Sequence, residues 1–310
     1  MILLIIKKTL LLHILKGSDT IKDIIVIVGP TGVGKTKLSI ELAKKLNGEI
    51  INADSVSIYK DLNIGSAKPT KEEQEEAIHH LINIKEVEDE YSVYNYQKDA
   101  RKRIDDINKK KKRVIMVGGT GLYIKAALFN YQFFKEENCN EYKELTNEQI
   151  KNKILEISPN IDIHINNRRR LVRALNKLKN NEEITNYKNE VLYPIKIIGL
   201  TTDRKTLYER INKRVDLMFK NGLLDEINSL KNRYNDSKVL NSAIGYKEFK
   251  DYFSKAKTID EVKNIIKTNS RHYAKRQYTF FNNQMNVEWF NVDFNNFNKT
   301  IDEVIKYINN

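Results

Sequence analysis

Cysteine is almost missing from this 310-residue sequence, with Cys139 its single example. That excludes an internal disulfide framework and a cysteine-rich metal site, and it fits a reducing compartment. Proline (4) and glycine (12) are also sparse, against usual shares of about 5% and 7%. Collagen-like and low-complexity classes are excluded, and the shortage of breakers favours a helix-rich fold. Acidic residues fall short of basic ones, 41 against 54, leaving a net charge of +13. Such a balance suits nucleic acid, a phosphate-rich substrate or a membrane surface, and it also serves simply to keep a chain in solution. Long apolar runs are lacking too. Residues 1–15 are apolar apart from Lys7, Lys8, Thr9 and His13, too short for a span of about 20 residues. They lack the charge-first, cleavage-site-last order of a signal peptide. Residues 1–23 therefore read as an N-terminal extension, and the chain as a soluble, cytoplasmic protein with no membrane role.

What is present is an alternation of buried strands and amphipathic helices. Residues 24–28 are Ile-Ile-Val-Ile-Val, the continuous apolar run of a strand covered on both faces, hence parallel and part of an α/β fold. Residues 49–52, 114–117 and 195–200 repeat the pattern, and 287–290 repeat it weakly. Residues 122–193 hold no convincing strand, while Leu171, Ala174, Leu175 and Leu178 recur at helical spacing. They are read as a small helical insertion that divides the core into 24–121 and 194–310. A second helical stretch is expected over 206–230. No Pro/Gly/Ser-rich linker separates the parts.

Directly after the first run stands Gly29-Pro30-Thr31-Gly32-Val33-Gly34-Lys35-Thr36, the phosphate-loop pattern G-x-x-x-x-G-K-[ST] between a strand and a helix. The glycines let the backbone curl so that several N–H groups point at one anion, and the helix adds the positive end of its dipole. Lys35 supplies a point charge, and the Thr36 hydroxyl is placed for Mg²⁺. The fold class is thus a P-loop NTPase-like parallel sheet flanked by helices. A nucleotide hydrolase usually ends a second core strand in an acid. Here residues 114–117 run into Gly118-Gly119-Thr120-Gly121, and the acid is Asp54 after 49–52. An Asp there faces the ligand crevice of an open α/β sheet and suits a base acting on a second substrate; as a bland alternative it caps a helix or turn.

At this point the chain resembles the tRNA dimethylallyltransferase (tRNA isopentenyltransferase) family. The resemblance runs through nearly the whole length after the extension. It rests on the phosphate loop; Asp54-Ser55 with Tyr59 and Ile64-Gly65-Ser66-Ala67-Lys68-Pro69-Thr70; His79-His80-Leu81; Gly118-Gly119-Thr120-Gly121-Leu122-Tyr123; Arg173-Ala174-Leu175 behind an arginine run; and Ile244-Gly245-Tyr246-Lys247-Glu248 with Tyr273-Ala274-Lys275-Arg276-Gln277. It implies transfer of a dimethylallyl group from dimethylallyl diphosphate to N6 of the adenosine 3′ to the anticodon, position 37, in tRNAs reading codons that begin with U. Diphosphate leaves, no ATP is consumed, and Mg²⁺ assists. Departures are Ser66 where the family usually has Thr, Phe280 where Trp is common, and Asn83 and Asn167 where Asp is common.

The resemblance makes Asp54 the catalytic acceptor of the amino proton. It assigns the diphosphate to the phosphate loop, with Thr31 and Gly32 among its contacts. Arg271, Lys275 and Arg276 are expected to close over it. Expected tRNA contacts are Asp54, Ser55, Val56, Ser57 and Thr120, and Arg169, Arg170, Leu171, Val172 and Arg173 in the insertion. Two basic arrays support an RNA partner: Arg168-Arg169-Arg170 with Arg173, Lys177 and Lys179, and Lys263, Lys267, Arg271 and Lys275 at every fourth position. Four like charges at that spacing repel one another mildly unless an anion lies near. Lys109-Lys110-Lys111-Lys112-Arg113 reads as a solvated loop. His79 and His80 read as structural or substrate-adjacent, and Trp289, Phe280 and Phe281 as core. The competing reading is a small-molecule or nucleoside kinase, with ATP on the loop and Asp54 as base; a non-catalytic RNA-binding P-loop protein is a third. A monomer is expected, because an asymmetric tRNA needs one site.

Overall fold

The computed structural model describes residues 22–133, 142–161, 163–180 and 190–310; the extension 1–21 and Cys139 lie outside the described residues. Two compact units emerge, one made of the chain to Phe129 together with Val191–Asn310, the other of Asn130–Glu190. In chain order the elements are β1 (Ile24–Val28), α1 (Lys35–Leu46), β2 (Gly48–Asn52), α2 (Lys71–Glu76), β3 (His79–His80), α3 (Val93–Lys109), β4 (Arg113–Val117) and α4 (Gly121–Leu128). The second unit contributes α5 (Asn147–Ile157) and α6 (Arg168–Lys179). There follow β5 (Ile195–Thr201), α7 (Arg204–Lys220), α8 (Leu223–Leu230), α9 (Phe249–Phe253), α10 (Ile259–Gln284), β6 (Glu288–Asn291) and α11 (Phe297–Asn309).

The six strands form one parallel sheet in the order β3-β2-β4-β1-β5-β6. Its central strand explains the apolar run. Ile24, Val26 and Val28 join one core cluster with Ile104, Leu223 and Phe281, while Ile25 and Ile27 join another with Leu38, Leu42 and Val304. Both faces are covered, and no β1 residue is more than 1% exposed. Burial of each such side chain contributes about 1.5–3 kcal/mol.

The register fixes the site. Val117 of β4 pairs with Asn52 of β2 and with Ile27 of β1. The loops after β1, β2 and β4 therefore leave the sheet at one level, at its carboxyl edge, where open α/β sheets bind ligands.

Several expectations change. The strand β3 was not foreseen, since two histidines make no run; it pairs His79 with Ile50 and His80 with Ile51. The helical stretch 206–230 is two helices, α7 and α8, broken at Gly222 with φ 92°. The helix α4, expected to open the insertion, belongs to the larger unit. The run 109–113 is not simply solvated: Lys110 and Lys112 pair with Glu49, and Arg113 donates to the Asp23 carbonyl. The smaller unit has its own core, built from Tyr142, Ile150, Ile154, Ile163, Leu171 and Leu175 among others. Among the described residues no helix is long and apolar enough to cross a membrane.

Candidate active site

The phosphate loop sits where β1 ends. Gly34 closes it with φ 105°, a left-handed conformation, and a Cβ there would lie 2.9 Å from the Phe297 ring, so only glycine fits. The helix α1 that follows has no side-chain cap and no acidic residue in its first turn. Its free N–H groups and positive dipole end are left for an anion. Lys35 Nζ donates to the Gly29 and Pro30 carbonyls at 3.0 and 2.8 Å. Burial pulls its pKa down to about 7; the charge of Arg214 adds to this and Asp54 opposes it.

Arg214 was missed in the sequence. It lies on α7, where Nη1 donates to the Thr31 hydroxyl at 2.8 Å and Nη2 reaches the Ala67 carbonyl at 3.4 Å. Both partners are uncharged, so the guanidinium keeps its charge available. Burial holds its pKa below the ordinary value, against the pull of Asp54 and Glu73. One turn earlier, Arg210 Nε donates to the Gly32 carbonyl at 3.0 Å, and its guanidinium lies 3.8 Å from the centre of the Phe294 ring. Two arginines four apart on a helix following a core strand were the available signal, hidden because that helix also carries ordinary surface charges.

Asp54 stands just past β2. Its N–H donates to Asn52 Oδ1 at 3.1 Å, Asn52 Nδ2 donates back to the Asp54 carbonyl at 3.0 Å, and the carboxylate Oδ1 accepts from Val56 N–H at 3.0 Å. The side chain is thereby aimed rather than free. Thr120 Oγ1 accepts from Ser55 N–H at 3.0 Å and lies 3.3 Å from Ser55 Oγ, joining the loops after β2 and β4. Gln277 of α10 joins the loops after β1 and β4: its Oε1 accepts from Thr31 N–H and its Nε2 donates to the Gly119 carbonyl, both at 3.0 Å.

Between these loops lies a cavity of about 1080 Å³, with Lys35, Thr36, Asp54, Gly119, Arg214 and Arg276 among its lining residues. Anion donors and a carboxylate thus share one chamber. Ser55, Val56 and Ser57 also line it, although Ser57 is only 4% exposed. Of the three residues expected to close over the diphosphate, Arg276 reaches the cavity wall; Arg271 and Lys275 do not. Arg271 instead donates to Asn212 and Thr268. The every-fourth-residue array is also less bare than its spacing suggests, because Asp216 of α7 pairs with Lys263 at 2.8 Å and Lys267 at 2.7 Å.

On α6, Arg170 and Arg173 are exposed, whereas Leu171 and Val172 are buried in the core of the smaller unit. The side chain of Arg169 lies outside the described residues. Arg168 is structural: it donates to the Tyr142 and Leu145 carbonyls at 2.5 and 2.7 Å. His80 lies 2.7 Å from Glu49, and His79 Nδ1 lies 2.8 Å from the Ala77 carbonyl. Among the described residues no group of three or more His, Cys, Asp or Glu could hold a metal. Thr36 lines the cavity, which fits an Mg²⁺ held mainly by substrate oxygens and water, as that ion prefers.

A Walker-type anion loop with an opposed carboxylate on a parallel sheet defines an α/β P-loop protein built for group transfer from a diphosphate or triphosphate. More narrowly, the chain belongs to the tRNA dimethylallyltransferase family. A family model described as IPP transferase matches residues 57–284. A tRNA dimethylallyltransferase of Bacillus cereus (strain AH187) is 45% identical over 308 residues, covering 94% of this chain and 96% of the relative. The crystal structure of the full-length tRNA isopentenylpyrophosphate transferase of Bacillus halodurans is 40% identical, covers 93% of this chain and 95% of its own, and superposes with a TM-score of 0.73. A eukaryotic dimethylallyltransferase described as acting on tRNA is 28% identical, with a TM-score of 0.74 over 92% of this chain and 77% of its own. The kinase reading is not favoured by these relatives.

Proposed function

We propose that this chain is a tRNA prenyltransferase. It moves a dimethylallyl group from dimethylallyl diphosphate to N6 of the adenosine at position 37, next to the anticodon, in tRNAs that read codons beginning with U. The carrying observation is that Asp54 and the Lys35–Arg214 pair line the same cavity. The phosphate loop holds the diphosphate through its backbone N–H groups, Lys35, and Arg214 reaching past Thr31. The adenine amino group is a poor nucleophile, because its lone pair is delocalised into the ring. Asp54 accepts its hydrogen bond and takes the proton as the bond to C1 forms. The C1–O bond breaks and its electron pair leaves on the diphosphate, where the loop N–H groups and the two cations stabilise the charge as it develops. Thr36, on the cavity wall, would hold Mg²⁺, which supplies further neutralisation of the leaving oxygens.

The adenosine reaches Asp54 only when unstacked from the anticodon loop, at a cost of a few kcal/mol that other tRNA contacts must offset. Ser55, Val56 and Ser57 line the cavity with Asp54, and Thr120 is tied to them through Ser55. In this reading these four contact the base, while Arg169, Arg170 and Arg173 on α6 supply phosphate contacts. A cytoplasmic, monomeric enzyme fits this substrate. In the test, labelled dimethylallyl diphosphate, Mg²⁺ and unmodified tRNA are incubated with the protein. Label should appear in the tRNA at that adenosine. Asp54→Ala should lose most of the rate while still binding tRNA; near-normal turnover by that variant would remove Asp54 from its role.

A further inference from the structure

One carboxylate outside the reaction gathers an unusual set of donors. Glu226, in the first turn of α8, accepts from the backbone N–H groups of Asn63 at 3.1 Å, Ile64 at 2.8 Å and Gly65 at 3.1 Å. It also accepts from the Tyr246 hydroxyl at 2.8 Å, and that hydroxyl in turn accepts from Ser66 N–H at 3.1 Å. Four successive N–H groups of one strap, residues 63–66, are thus satisfied directly or through one tyrosine. Charge-assisted bonds of this kind are about twice as strong as neutral ones. The fit is close: a Cβ on Gly65 would lie 2.7 Å from the Tyr246 ring.

The strap continues into the site. Ala67 has φ 49°, a left-handed conformation that a residue with a Cβ adopts at a cost. Lys68 is anchored beneath, donating to the Tyr59 carbonyl at 2.7 Å, Asn63 Oδ1 at 3.1 Å and Asn83 Oδ1 at 2.6 Å. Gly65, Ser66, Ala67 and Lys68 all line the cavity, and the Ala67 carbonyl faces Arg214 Nη2. Ala67 N–H donates to the Ile64 carbonyl at 3.0 Å and Lys68 N–H to the Asn63 carbonyl at 3.1 Å, bonds that close the turn on itself. Without the carboxylate, three adjacent N–H groups at its start would lose their acceptor together.

We propose that Glu226 is a positioning residue for diphosphate binding: it fixes the strap 63–68, whose Ala67 carbonyl aims the Arg214 guanidinium into the cavity beside Thr31. The inference rests on reading this cavity as the prenyl-diphosphate site. Glu226 touches no substrate. It acts through Arg214, so its effect must vanish when Arg214 is gone; a general contribution to folding would persist.

The experiment is a double-mutant cycle read by calorimetric binding of inorganic diphosphate in Mg²⁺ to the full chain. Glu226→Gln should weaken binding about tenfold in the parent protein. In an Arg214→Ala background it should weaken binding less than twofold. Tyr246→Phe removes only the shared hydroxyl and should show about a threefold loss with the same dependence on Arg214, which keeps the test open should Glu226→Gln fail to fold. A folded Glu226→Gln that binds diphosphate within twofold of the parent overturns the proposal. So does an equal loss in both backgrounds. Failure of the parent protein to prenylate tRNA would instead sink the functional reading, leaving the diphosphate cycle to be judged by itself.

Discussion

Arg214 donates a 2.8 Å hydrogen bond from Nη1 to the Thr31 hydroxyl, across 183 positions of sequence. The contact brings α7 against the phosphate loop, so that a helix from the second half of the core completes an anion site begun in the first half. A guanidinium with neutral partners is costly to bury. Its cost is offset when a diphosphate arrives, and most strongly when negative charge grows on the leaving group.

Arg214→Ala should therefore lower the rate of prenyl transfer by about 10²–10³-fold, the range seen when one preorganised donor to a developing charge is removed. Arg214→Lys should recover only part, because an ammonium cannot span Thr31, Ala67 and a phosphate as a planar fork does. Steady-state kinetics with saturating tRNA measures both. A lysine variant equal to the parent would reduce the arginine to a point charge.

Lys35 predicts a pH signature. Burial first, and the charge of Arg214 second, bring its pKa to about 7. In the free protein the ammonium loses its proton as pH rises through that value. A bound diphosphate restores the charge, so binding above about pH 7 must take up a proton, and affinity must fall with pH up to about tenfold per unit. Titration calorimetry at pH 8 in buffers of different ionisation enthalpy reads the uptake. Subtracting the same measurement on Lys35→Met removes the diphosphate's own titration. The difference should approach one proton; a difference near zero would mean that Lys35 is already neutral in the complex or charged throughout.

The buried strands were legible because an apolar run covered on both faces admits few other readings: residues 24–28, 49–52, 114–117 and 195–200 all fall in strands of the sheet. The phosphate loop was legible because its residues act within one short segment, and Asp54 because it follows a strand directly. What escaped depends on distant partners. Arg214 sits in a helix of mixed charge, and nothing in α7 alone marks it as the residue that meets Thr31. The regular array from Lys263 to Lys275 suggested a bare cationic stripe, until Asp216 from another helix took up two of its members. Leu171 and Val172 sit beside arginines in the sequence, yet helical geometry sends them into the core. Glu49 gave no sign of its surroundings, because His80, Lys110 and Lys112 reach it through sheet pairing.

On α6, Arg170 and Arg173 are the exposed arginines whose side chains are described. If they contact tRNA phosphates, replacing both with alanine removes about two released counterions, and the slope of log affinity against log salt should flatten by roughly 1.5. Filter binding at several salt concentrations measures it. A slope unchanged by the double substitution would place the RNA elsewhere. Diphosphate affinity should be untouched in the same variant, which separates RNA contact from damage to the catalytic unit.

Glu49 makes the sharpest stability prediction. It is fully buried at the end of the sheet where Lys110 and Lys112 converge. Burial would raise its carboxyl pKa, but hydrogen bonds from Lys112, His80 and Lys110 outweigh that and draw it down to about 2 from 4.5. Between those values the unfolded chain binds the proton that the folded chain refuses. Stability from this group is therefore complete above about pH 5 and lost as pH falls toward 2. The shift corresponds to the order of 3 kcal/mol. Glu49→Gln should cost about that much at pH 7, since the ammonium groups stay behind without a counter-charge. At pH 3 the cost should shrink by more than half. Urea denaturation of parent and variant at the two pH values decides it: an equal difference at both would show that packing around Glu49, rather than its charge, holds this edge of the sheet.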